Sequence, residues 1–196
     1  SNSTHELMEG FFAKIVLLVE GPTESTALPV LLARTGLETS SLGIAVLSVT
    51  GKGNLAKWWR VFAAYAIPCY VLFDNDVRQD DAAGVKRSDV LRTVGVAAEA
   101  IPGILATRNW LVRPTFAVFG EDYELCRRRQ FNDYEELEAR AHDTGVHAKP
   151  FVARWVAERL ELLQREYEVV AIEQELENPL GFVEEVHAAE SIKHPV

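Results

Sequence analysis

Cysteine is scarce in this chain, with only Cys69 and Cys126 among 196 residues. Two cysteines build neither a disulfide framework nor a zinc cluster, so a reducing, cytoplasmic setting is expected and the fold must rest on its core. Long apolar runs are lacking too. The stretch from Phe11 to Val19 is broken by Lys14 and falls far short of the ~20 residues that span a bilayer. No basic segment precedes it, so neither membrane insertion nor secretion is expected. Basic residues are the minority, 20 Lys and Arg against 29 Asp and Glu, for a formal charge of −9. That balance argues against a protein whose whole surface grips nucleic acid. It leaves room for a local phosphate site, because carboxylates gathered around divalent ions present a reversed sign once the ions are bound. There is no Gly-x-x-x-x-Gly-Lys-[Ser/Thr] phosphate loop, and Gly51-Lys52-Gly53 is not one. Repeats and low-complexity tracts are also missing.

What is present is the composition of a globular protein, 48% hydrophobic and 25% charged. At this length a chain buries roughly 70% of the surface of its unfolded form. Two runs, Ile15 to Val19 and Cys69 to Phe73, are continuously apolar and end in a carboxylate. Such runs mark strands of a parallel sheet covered on both faces. Ile44 to Val49 and Thr115 to Phe119 supply two more, giving a sheet of about four strands. The links read as helices. Pro22 and Thr23 start one that runs to Arg34 before Thr35-Gly36, with Pro29 expected to kink it or begin a second piece. Asn54 to Ala66 forms another, with Leu55, Trp58, Trp59, Phe62 and Ala63 on its apolar side. Val77 to Ser88 is polar and reads as a loop, followed by helices over Asp89 to Ala100, Asp133 to Ala141 and Phe151 to Leu163. A shorter apolar segment, Leu180 to Ala188, lies in the tail. The order predicts an α/β fold, a parallel sheet flanked by helices in the Rossmann-like manner, with an inserted or appended helical region.

In open α/β sheets ligands bind beyond the carboxyl ends of the strands, and the carboxylates sit at those ends. Glu20 ends the first strand, Asp74 and Asp76 end the third, and Glu24 flanks the turn after Glu20. Asp74 and Asp76, two apart in extended chain, point to one side. Hard oxygen ligands suit Mg2+ or Mn2+, and no His or Cys cluster points to zinc. A lone acid after a strand is ordinarily a helix cap or a turn former. The joint occurrence of Val19-Glu20-Gly21-Pro22-Thr23-Glu24 and Phe73-Asp74-Asn75-Asp76 is harder to assign to solvated turns.

At Leu18-Val19-Glu20-Gly21, Thr50-Gly51-Lys52-Gly53-Asn54 and Leu72-Phe73-Asp74-Asn75-Asp76 the sequence resembles the TOPRIM domain of topoisomerases, primases and several nucleases. Glu24, the Gly-Lys-Gly-Asn turn and Lys149-Pro150 ahead of an apolar helix with Ala153 narrow the resemblance to the C-terminal catalytic region of OLD-family (overcoming lysogenization defect) endonucleases. The resemblance implies a metal-dependent DNA endonuclease that uses two divalent ions, Mg2+ or Mn2+, on the scissile phosphate. It implies a catalytic core over 11–125 and a mainly helical region over 126–196 that packs on the core and supplies Lys149. Glu20 would bind one ion or sit beside the attacking water, and Asp74 would bind or bridge, with Glu24 and Asp76 completing the shells. Asp122 and Glu124 after the fourth strand would serve a second ion, although a charged helix N-terminus explains them equally. Lys149 is the implied cation that steadies charge on the phosphate. An N-terminal ATPase region usually precedes this part in the family.

Lys52 in its glycine turn is a candidate phosphate contact, against the simpler account of a turn lysine facing water. Arg127-Arg128-Arg129 is a candidate basic lip for the DNA backbone, against that of a solvated helix face. Two rival functions remain. A haloacid-dehalogenase-type phosphatase would use Asp74 as nucleophile and Asp76 as acid and base, but the order of parts disfavours it, since Glu20 precedes the Asp-x-Asp and Lys149 follows Glu124. A noncatalytic TOPRIM module would bind DNA or protein without cutting, and the retention of Glu20, Glu24, Asp74 and Asp76 together weighs against that.

Overall fold

The computed structural model describes residues 7–77 and 81–162. After a short turn at Gly10–Phe12 come β1 (Ile15–Val19), α1 (Pro22–Thr35), α2 (Thr39–Leu42), β2 (Ile44–Ser48), α3 (Lys52–Ala64) and β3 (Cys69–Asp74). There follow α4 (Val85–Thr93), α5 (Ile101–Ala106), β4 (Leu111–Arg113), β5 (Phe116–Phe119), α6 (Tyr123–Gln130), α7 (Tyr134–Asp143) and α8 (Lys149–Ala157). The strands form one five-stranded sheet in the order β2-β1-β3-β5-β4. The pairs β1–β2, β1–β3 and β3–β5 are parallel, and β4 runs antiparallel along β5. This is the expected α/β architecture with one strand added. Three residues are too few for β4 to announce itself by alternation.

Every residue of β1 is buried because both faces of the sheet are covered. Leu17 and Val19 pack with Leu28, Leu31 and Leu32 of α1 and Val152 and Val156 of α8. Val16 and Leu18 turn to the other face, where Leu55 and Phe62 of α3 and Leu91 of α4 close the second core. Arg34, at the end of α1, donates to the carbonyls of Ala157 and Leu160 at 2.5 and 2.6 Å. Glu24, near the start of α1, lines one cleft with Lys149 at the start of α8. The two helices therefore lie side by side in the same direction, both N-termini at the carboxyl edge of the sheet.

Several expected boundaries are corrected. Pro29 neither ends nor divides α1, which is a single helix from Pro22 to Thr35. It lies in the second half of the helix, where its missing N–H leaves only the carbonyl of Ser25, a half-exposed residue, to be served by solvent. The segment expected as loop from Val77 to Ser88 already enters α4 at Val85, and that helix stops at Thr93 rather than Ala100. Gly95, at φ 89°, follows its end and favours termination. The last helix begins at Lys149 and ends at Ala157, although Leu160 beyond it remains buried. Leu163 and the segment Leu180 to Ala188 lie outside the described residues.

Candidate metal centre

From β1 the chain crosses to β2 on one side and returns to β3 on the other. The helices diverge at that reversal and leave a crevice over the ends of β1 and β3. Glu20 and Asp74, both buried, face it from adjacent strands, and Asp76 joins them from the half-buried segment beyond. One carboxylate oxygen from each of Glu20, Asp74 and Asp76 lies within 4.8 Å of the others. An all-carboxylate donor set of this span fits a hard divalent ion such as Mg2+ or Mn2+.

Glu24 is the third residue of α1, where partial positive charge at the helix start favours an acid. Burial, reinforced by the charges of Glu20 and Glu124, nonetheless pushes its carboxyl up to about 7. Burial, with the charges of Glu24 and Glu20, likewise raises Asp74 well above the ordinary carboxylate range, against the pull of Lys52. Glu124, the second residue of α6, meets Lys149 at 2.9 Å. Burial works against the Lys149 ammonium, but the Glu124 hydrogen bond and the surrounding carboxylates raise its affinity for the proton overall. Glu20, Glu24, Asp74, Glu124 and Lys149 line a single cleft of about 470 Å3.

The basic residues sort differently from the sequence expectation. Lys52 does not face water. It is buried at the start of α3, ion-paired with Asp76 and 3.5 Å from Glu20 Oε2. The turn before it explains this placement. Thr50 and Gly51 both take positive φ, 59° and 105°, and the Gly51 amide donates to the Glu20 carbonyl at 2.9 Å. The turn folds over the end of β1, with glycine where left-handed backbone is needed. Arg127 is not part of a basic lip. It is fully buried, with its guanidinium 5.2 to 6.0 Å from the ring centres of Trp110, Phe119, Tyr123 and Phe131. Helical periodicity turns it inward while Arg128 and Arg129 face out. Arg128 pairs with Glu138, and Arg129 pairs with Glu121 at the surface. Asp122 caps α6, its Oδ1 accepting from the Leu125 amide at 2.7 Å, and lines a neighbouring cavity with Glu124 and Lys149.

Sequence reasoning passed over the residues that hold the Asp74-Asn75-Asp76 segment. Asn75 is buried, and its Nδ2 donates to the carbonyls of Ile104, Leu105 and Thr107 at 3.0 to 3.1 Å. Arg87 Nη1 donates to both the carbonyl and Oδ1 of Asn75, at 3.1 and 3.0 Å. Its Nε donates to Asp81 Oδ2 at 2.8 Å. Burial opposes the Asp81 charge, yet Arg87 and the amides of Lys86 and Arg87 hold its carboxyl below the usual range. A buried Arg87–Asp81 pair thus grips the backbone between the two aspartates. Its only trace in the sequence was Asn75 set between two acids, because Asp81 and Arg87 stand in a stretch polar enough to read as solvated.

The fold is shared with known proteins. It is similar to that of the C-terminal region of the Burkholderia pseudomallei OLD protein, with a TM-score of 0.61 and 18% identity, covering 88% of this chain and 99% of that one. It also matches the C-terminal region of the Xanthomonas campestris pv. campestris OLD protein, with a TM-score of 0.58 and 18% identity, covering 92% and 99%. No curated protein matches the sequence. Residues 11–76, which carry Glu20, Glu24, Lys52, Asp74 and Asp76, match the TOPRIM domain of overcoming lysogenization defect-like proteins.

Proposed function

We propose that the chain is the catalytic part of a divalent-metal-dependent DNA endonuclease. The observation that carries the reading is the convergence of Glu20, Asp74 and Asp76 within 4.8 Å at the strand-order reversal, opposite the Lys149–Glu124 pair. Glu20, Asp74 and Asp76 would hold one Mg2+ or Mn2+, with Glu24 completing the shells, and Asp122 and Glu124 would serve a second. Bound there, such ions supply Lewis acidity toward the phosphate oxygens and favour the attacking and leaving oxygens of an in-line displacement.

The protein's own groups do the rest. Glu24, at the cleft wall, would add a carboxylate beside the ions. Lys149, about two-thirds exposed, extends its ammonium into the cleft, where a phosphate accumulating charge would draw it from Glu124. The N-termini of α1, α3 and α8 open toward the same edge and add partial positive charge. The exposed Arg129 remains a candidate backbone contact. In this reading the chain works in the cytoplasm, joined to an N-terminal ATPase region.

The test is incubation of supercoiled plasmid with Mn2+, Mg2+ or excess chelator. Nicking followed by linearisation in metal, and intact plasmid in chelator, is the expected result. Cutting that persists in chelator removes the metal mechanism. A phosphoaspartate analogue trapped at Asp74 by beryllium fluoride would instead select the phosphatase reading.

A further inference from the structure

Lys52 occupies the middle of the acidic cluster, and its surroundings do not suit a cation for any other reason. It is 5% exposed, so its ammonium has given up most of its water. It is the first residue of α3, the helix end at which a positive charge is disfavoured. What holds it are Asp76, ion-paired through Oδ1, and Glu20 at 3.5 Å. Those two residues also belong to the carboxylate triad that spans 4.8 Å. An ammonium and a divalent ion therefore draw on the same carboxylates, and two cations so close repel in a weakly screened crevice.

We infer that Lys52 is the resident cation of the carboxylate triad, a competitor that a divalent ion must displace from Asp76 in order to bind. This rests on the metal-site reading above and adds a direction to it. Lys52 offsets the mutual repulsion of Glu20, Asp74 and Asp76 before metal arrives, and it weakens metal binding below what the carboxylates alone would give. Loss of the Lys52 charge raises metal affinity in either case, and displacement itself is read from the exposure of the Lys52 ammonium when metal binds.

Mn2+ binding is measured by calorimetry at pH 8 without DNA, on the unaltered chain and on Lys52→Met and Lys52→Gln. The expected result is about tenfold tighter Mn2+ binding in both variants, a lower melting temperature in chelator and a larger rise on adding Mn2+. Equal or weaker binding by folded variants overturns the inference. Absence of Mn2+ binding by the unaltered chain overturns the metal site itself, a separable result. A second measurement needs no variant. Acylation of Lys52 in the unaltered chain, read by mass spectrometry, should be slow in chelator and faster with Mn2+, whereas an unchanged or slower rate in Mn2+ contradicts displacement.

Discussion

Lys149 Nζ lies 2.9 Å from Glu124 Oε1, joining the first residue of α8 to the first turn of α6 across the mouth of the cleft. The pair couples the appended helices to the strand-end acids, so α8 carries a chemical group as well as packing area. Lys149→Ala should slow single-turnover cleavage by about 10²-fold, as removal of one preorganised stabiliser does elsewhere. DNA affinity with Ca2+ in place of the catalytic ion should change little. Lys149→Arg should recover little of the rate, since a planar fork is a poor substitute for a compact ammonium. A normal single-turnover rate in Lys149→Ala at saturating enzyme would make Lys149 a bystander.

Asp74→Ala should abolish cutting, because a water molecule cannot replace a carboxylate shared by the triad. Asp89→Ala is the control. Asp89 pairs with Arg60 on the exposed faces of α4 and α3 and lines no part of the cleft. Its loss should leave the plasmid assay unchanged, and equal activity in the two variants would remove the site assignment.

Arg87→Met should destabilise the protein by roughly 3–5 kcal/mol, the usual cost of breaking a buried pair and leaving its partner charged. Urea unfolding measures it. The side chains of Arg87 and Asp81 are 3% and 1% exposed, so solvent cannot take over their hydrogen bonds. A change below 1 kcal/mol would show that the Asn75 segment is held by its other bonds.

In chelator, stability should fall as pH rises from about 4.5 to about 7. Folded Glu24 keeps its proton up to about 7, whereas its ordinary value is 4.5. Between those values the folded state binds more protons than the unfolded chain, so each step up in pH favours unfolding. The shift sets an upper scale on the order of 3 kcal/mol for this one group. Asp74 is shifted in the same direction and adds to the slope. Glu24→Gln should flatten the profile, and denaturant midpoints across this range are the measurement.

Arg127→Ala and Arg129→Ala should part company. Arg127 is enclosed by aromatic rings, so its truncation leaves a cavity and should lower the melting temperature by several degrees. Arg129 stands half exposed at the surface. Its loss should spare stability and reduce the salt dependence of DNA binding by about one counterion. The opposite pattern would restore Arg127 to the surface.

Four of the strands, the parallel character of their sheet and the acids at their ends were readable from sequence because buried strands and strand-end carboxylates are local signals. Continuous apolar runs leave few alternatives, and Glu20, Asp74 and Asp76 follow them directly. The fate of each cation was not local. Lys52 turns inward because Thr50 and Gly51 fold over β1, and Arg127 turns inward because α6 meets Trp110 and Phe119 with that face. Arg87 and Asp81 bury their charges only because each finds the other and Asn75. A charged side chain is read from sequence as solvated, since burying it alone is prohibitive. Only tertiary structure supplies the partner that makes burial possible, and in this protein those partners decide where the positive charge around the carboxylates lies.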